Sequence, residues 1–161
     1  MYPNKLKISR RIFISVFAFL GFSTLAWSQD LLTFEKSKLK IKTLKGEKIF
    51  EVELAETERQ HSQGLMYRRS MAANAGMLFD YGSMRHIRMW MKNTYLPLDM
   101  IFIDSKGKII NIVERTIPHS LSVISSRGRV RAVLELNSGT ASRLGIIEGD
   151  RVVHSIFQEI K

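Results

Sequence analysis

Asp99-Met100-Ile101-Phe102-Ile103, then Asp104-Ser105-Lys106-Gly107, then Lys108-Ile109-Ile110-Asn111-Ile112-Val113 is the stretch that decides the fold. Two runs rich in β-branched and aromatic side chains flank a polar segment ending in glycine. That order of residue types predicts a β-hairpin. Upstream, Leu39, Ile41 and Leu44 and then Ile49, Val52 and Leu54 bracket Lys45-Gly46-Glu47 as a second hairpin, and Gly76–Phe79 and Ile87–Met91 read as short strands. Downstream, Val130–Leu136 and Asp150–Phe157 read the same way. Thr57 can cap a short helix over Glu58–Gln63 that Gly64 ends, and a second short helix runs from Ser138-Gly139 to Leu144-Gly145. Long crossover helices of the kind that join parallel strands are missing. The expected fold is mainly β: a compact β-sandwich or barrel-like domain of seven or eight short strands with two short helices.

The first residues have a different character. Lys5, Lys7, Arg10 and Arg11 precede an uncharged run from Ile12 to Trp27, and Ala26-Trp27-Ser28 places small residues at the −3 and −1 positions of a cut before Gln29. This predicts a signal peptide over residues 1–28, a short leader over 29–37 and a single β-rich domain over 38–161. The uncharged run is shorter than the roughly 20 residues that cross a bilayer core. Ser9-Arg10-Arg11-Ile12-Phe13 also resembles a twin-arginine signal, so export by the general secretory or the twin-arginine route places the domain in the periplasm or outside the cell. Loss of residues 1–28 removes four cations and no carboxylate, which lowers the formal net charge from +10 to +6. An exported domain of modest basicity is not expected to meet nucleic acid, and it touches the membrane only through its signal peptide. The chain has no cysteine, which excludes disulfides and thiol catalysis.

No HExxH, GxSxG, Walker loop, GxGxxG or EF-hand loop occurs, and no cofactor is implied. The densest chemistry is Trp90-Met91-Lys92-Asn93-Thr94-Tyr95-Leu96-Pro97-Leu98-Asp99, at a strand-to-turn junction where side chains of one loop can converge. Lys92 would supply charge to an anionic group, Asn93 and Thr94 hydrogen bonds, and Trp90 an apolar wall. The plainer alternative has Asn93 and Thr94 setting the turn, Trp90 filling the core and Lys92 paired with Asp99 at the surface. Seven methionines between Met66 and Met100 raise a soft-metal site for Cu(I), with Met89, Met91 and His86 as candidate ligands. Alternation along one strand would put Met89 and Met91 on one face and His86 and Trp90 on the other, and methionine as core filler is the commoner outcome.

Thr57-Glu58-Arg59 with Gly64-Leu65-Met66, Gly76-Met77-Leu78-Phe79, the WMKNT run at Trp90–Thr94 with Pro97-Leu98-Asp99, and GTASRLGIIEGD at Gly139–Asp150 together resemble the family called domain of unknown function 192. The resemblance spans roughly residues 38–157. It implies a compact, mainly β domain, often exported in bacteria, with no established activity. The family's recurrent polar positions would fall on Arg59, Lys92, Asn93, Thr94, Asp99 and Glu135. Arg88-Met89 departs from the pattern, standing where an apolar or aromatic residue would precede the tryptophan.

Three functions follow as expectations. The first is an exported, non-catalytic domain that binds a small polar or anionic ligand, or an envelope protein, through the Trp90–Asp99 loop, with Asp99 or Glu135 as counter-charge. The second is a hydrolase of an envelope component, with Asp99 or Glu135 as general base and Lys92 or Arg59 stabilising developing negative charge. The third is copper binding through methionine.

Overall fold

The computed structural model describes residues 32–157. The signal sequence expected over residues 1–28 lies outside the described residues. The deciding hairpin forms as read, β5 (Leu98–Ile103) pairing antiparallel with β6 (Ile109–Val113). Asp104 organises its turn, its Oδ1 accepting the N–H groups of Lys106 (2.8 Å) and Lys108 (2.9 Å). From β5 the sheet continues through β8 (Val130–Asn137), β3 (Ala75–Arg85), β2 (Gly46–Ala55), β1 (Glu35–Thr43) and β9 (Arg151–Val153). The result is a seven-stranded sheet in the order β6-β5-β8-β3-β2-β1-β9.

This sheet curls until its two edges meet. Lys108 bridges Arg151, the Ile109 N–H donates to the Asp150 carbonyl at 2.9 Å, and the Val152 N–H donates to the Gly107 carbonyl at 2.7 Å. Partial closure pairs edge groups that would otherwise be open to other chains. A separate two-stranded ribbon joins β4 (Arg88–Met89) to β7 (Ile124–Ser125). The architecture is thus mainly β and barrel-like, with two short helices, α1 (Glu58–Gln63) and α2 (Thr140–Leu144).

Several boundaries differ from the sequence reading. β1 starts at Glu35, ahead of the expected domain start, because the ladder to β2 runs on to the Glu35–Leu54 pair although Glu35–Ser37 carry no apolar pattern. The hairpin tip is Leu44-Lys45, and Leu44 projects 93 % exposed, outside the strand. β2 and β3 pair in parallel. Their crossover needs only a dozen or so residues, and Glu56–Asn74, carrying α1, supplies them. The run at 87–91 keeps only two ladder residues, Arg88 and Met89. The final segment is a short strand followed by a 3₁₀ turn at Ser155–Phe157.

Alternation along the strands builds two apolar layers. Leu39, Ile41, Val52, Leu78, Ile101 and Leu134 pack inside the curl with Val152 from the far edge. Met77, Phe79, Met100, Phe102 and Val133 point the opposite way, under Leu65, Ile87, Met91 and Leu96 from the connecting segments. The central strands are therefore covered on both faces, and all six residues of β5 are buried. The candidate site lies in the second layer, between sheet and loops.

Candidate functional site

On β8, Ala132, Leu134 and Leu136 face the inside of the curl, so Val133 and Glu135 face the loop-covered side. Glu135 sits in register between Met77 of β3 and Met100 of β5, both fully buried. Its side chain is 4 % exposed. No described residue hydrogen-bonds or ion-pairs with its carboxyl group, which opens instead into a pocket of about 100 Å³. Burial pushes the Glu135 pKa from 4.5 up to about 8, since a charged carboxylate there would be desolvated.

The pocket wall comes from α1 and the turn after it (His61, Gly64, Met66), from β3 (Phe79, Tyr81), from β4 (Arg88, Met89) and from Trp90 and Thr94. A capping box fixes α1: the Gln60 N–H donates to Thr57 Oγ1 at 3.2 Å, and the Thr57 N–H donates to Gln60 Oε1 at 3.1 Å. Gly64 ends the helix at φ +47°, and a Cβ there would sit 3.0 Å from the Phe79 ring, so only glycine lets the turn lie against β3. His61 Nε2 stands 2.9 Å from the Ala55 carbonyl and 3.1 Å from that of Asp80. Facing two acceptors, that nitrogen carries a proton. The imidazole also lies against Tyr81, with ring centroids 4.3 Å apart. The Tyr81 hydroxyl donates to Met89 Sδ at 3.3 Å. Burial, with Glu135 as the second cause, pushes the Tyr81 phenol up to about 12.

Of the residues singled out from sequence, Trp90, Thr94 and Glu135 line this pocket together, with Met89 beside them. Asp99 does not. It is fully buried on the opposite face of the sheet, where Oδ1 accepts the N–H groups of Arg115 (2.9 Å) and Gly139 (3.0 Å) and Oδ2 that of Ala141 (2.9 Å). Asn93 adopts φ +54° and ties its loop to the turn after α1, donating from Nδ2 to the Tyr67 hydroxyl at 2.9 Å. Lys92 is exposed, its ammonium 5.3 Å from the Trp90 ring centroid, and Arg59 is exposed on α1 away from the pocket lining. The expected surface pair of Lys92 with Asp99 does not form. Half of Trp90 is exposed, so it walls the pocket rather than filling the core. Met91 is sealed in the core and His86 is exposed outside the pocket lining, so Met89, Met91 and His86 do not share one cavity. Among the described residues no three His, Asp or Glu side chains are placed to hold a metal ion.

His61, Phe79, Tyr81 and Arg88 enter the site without having been singled out as site residues. Continuing the period-two pattern past Phe79 would have brought in Tyr81. His61 carries no sequence signal beyond its place before Gly64-Leu65-Met66.

Residues 40–154 match the family model DUF192, described as "Uncharacterized ACR". A solved structure from Sinorhizobium meliloti 1021, provisionally described as a transcription regulator, is 50 % identical with a TM-score of 0.76, covering 78 % of this chain and 98 % of that one. A protein of unknown function from Novosphingobium aromaticivorans DSM 12444 is 33 % identical with a TM-score of 0.74, covering 75 % and 86 % of the two chains. No curated protein matches the chain.

Proposed function

The chain belongs to the uncharacterised DUF192 family, and from that premise we propose that it is an exported, non-catalytic domain that binds a small ligand in the pocket around Glu135. One observation carries this reading: a carboxyl group 4 % exposed, with no hydrogen-bond partner among the described residues, opens into a small pocket of about 100 Å³. A bound molecule that pairs with Glu135 takes the place of pocket solvent at the carboxyl group and gains the apolar wall of Trp90, Phe79, Met66 and Met89.

Export rests on the pattern of residues 1–28, by either secretory route. The hydrolase reading has less support. Asp99 spends both oxygens on three backbone N–H groups and faces away from the pocket, so Glu135 has no second carboxylate beside it.

A thermal-shift screen of the full chain against small metabolites tests the reading. A ligand at 100 times its Kd should add about 2.7 kcal/mol of stability, several degrees in the melting midpoint. Hits abolished in Glu135→Gln are expected; a screen whose hits ignore this substitution, or one with no hits, overturns the assignment.

A further inference from the structure

We infer that the ligand's recognised end is an organic ammonium group, which pairs with Glu135 while its carbon skeleton lies against Trp90, Tyr81 and the thioethers of Met66 and Met89. This rests on the pocket reading above and specifies its chemistry.

The hydrogen bonds of the wall lead to it. Tyr81 spends its hydroxyl proton on Met89 Sδ, Thr94 donates from Oγ1 to the Lys92 carbonyl at 3.1 Å, and His61 Nε2 faces the Ala55 and Asp80 carbonyls. Gln63 is engaged as well, its Oε1 accepting the Leu32 N–H at 3.0 Å. None of these groups reaches Glu135, so its carboxyl group is left free to pair with a ligand.

The aromatic and thioether part of the wall suits a cation. Aromatic faces attract positive charge through their quadrupoles, and thioether sulfur is polarisable. Glu135 is the one acidic residue in the lining. Arg88 is exposed and is not among the causes that shift Glu135, so its guanidinium does not neutralise the carboxyl group from inside. A hard metal ion is a poorer occupant, since it calls for several oxygen ligands and Glu135 stands alone.

The proton balance gives the proposal a sign. The groups packed around Glu135 that titrate or carry charge are Tyr81 from β3, His61 from α1 and Arg88 from β4. Below about pH 8 the unliganded carboxyl group holds a proton. When R–NH₃⁺ binds, that proton leaves to solvent and the carboxylate pairs with the ammonium, so charge is conserved. Affinity therefore rises with pH, by up to about tenfold per pH unit until Glu135 is ionised. A neutral acceptor ligand, taking a hydrogen bond from protonated Glu135, would show the opposite trend.

Isothermal titration of the full chain with benzylammonium, benzyl alcohol and benzoate tests this, run at about pH 6 and about pH 8 in two buffers of different ionisation enthalpy. Benzylammonium is expected to bind at least about tenfold more tightly than benzyl alcohol, to tighten towards the higher pH and to release close to one proton at the lower pH, with benzoate not binding. Glu135→Gln should remove the ammonium preference. Trp90→Ala, at an exposed position that folding tolerates, should weaken benzylammonium several-fold. Benzyl alcohol or benzoate binding as tightly as benzylammonium, or affinity that falls with pH, overturns the ammonium assignment and leaves a ligand pocket of another class. Failure of all three probes also overturns it, whereas the pocket reading itself stands or falls on the wider screen.

Discussion

Asp99 and Glu135 stand on paired strands one residue out of step: Asp99 opposes Leu136, and Met100 opposes Glu135. Successive strand residues point to opposite faces, so that one step sends the two carboxyl groups to opposite sides of the sheet. Asp99 goes to the inside of the curl, where three backbone N–H groups saturate it. Glu135 goes to the loop-covered side, where none does. Two residues of similar chemistry thus become a structural clamp and a pocket-lining group.

Asp99 is expected to act on stability alone. Asp99→Ala leaves the N–H groups of Arg115, Gly139 and Ala141 without their acceptor, and a loss of roughly 3–5 kcal/mol follows from about 1–3 kcal/mol per orphaned donor, taken as less than additive. Asp99→Asn keeps one acceptor oxygen and should lose about half as much. Urea unfolding of both variants measures this. If Asp99→Ala unfolded at the wild-type midpoint, the clamp would be discarded.

Glu135 has the opposite signature, a dependence on pH. The native state keeps the Glu135 proton up to about pH 8, whereas the unfolded chain releases it near 4.5. Between those values the native state binds more protons, so stability falls as pH rises. Glu135→Gln lacks this slope. Its advantage over wild type should grow by about 1.4 kcal/mol for each pH unit of that window, reaching roughly 3–5 kcal/mol above pH 8. His154, buried beside Ser37 and lowered by that burial, gives a slope of opposite sign below its ordinary value of 6.5. That slope is common to both proteins and cancels in the difference. Denaturant curves taken at several pH values decide the matter: a constant gap between the two proteins would mean that Glu135 is ionised in the native state.

Closure of the curled sheet depends on Gly107. Its φ is +80°, and a Cβ would fall 2.2 Å from the Val152 carbonyl oxygen. Gly107→Ala therefore cannot fit unless the two edges separate, at a loss of about 2–4 kcal/mol from steric displacement and left-handed strain together. Hydrogen exchange should quicken at the amides of Val152 and Ile109, which bridge the edges, and stay slow on β3 and β8. Uniform protection in the variant would show that the edge contact does not hold the sheet.

What could be read along the chain was whatever short-range chemistry decides. The β5–β6 hairpin, the Thr57-capped helix and its glycine stop each depend on residues within about a dozen positions of one another, and each forms. The parallel neighbours β2 and β3 could not be read, because their pairing depends on where the Glu56–Asn74 crossover returns the chain. Nor could the division among the polar candidates. Lys92, Asn93 and Asp99 lie within a few residues of Trp90 and Thr94, but turns and alternation carry them out of the pocket. His61, Tyr81 and Glu135 lie far apart in the chain and meet there.

By itself the sequence determined a cysteine-free, mainly β domain of the DUF192 family with its hairpins and helix caps, because those features follow from local residue preferences and from a run of motifs in order. The tertiary structure alone decided that the sheet curls edge to edge and that Glu135, held between Met77 and Met100, opens unpaired into a pocket. Burial and hydrogen-bond satisfaction are properties of what surrounds a side chain in space, and the order of residues along a chain does not specify them.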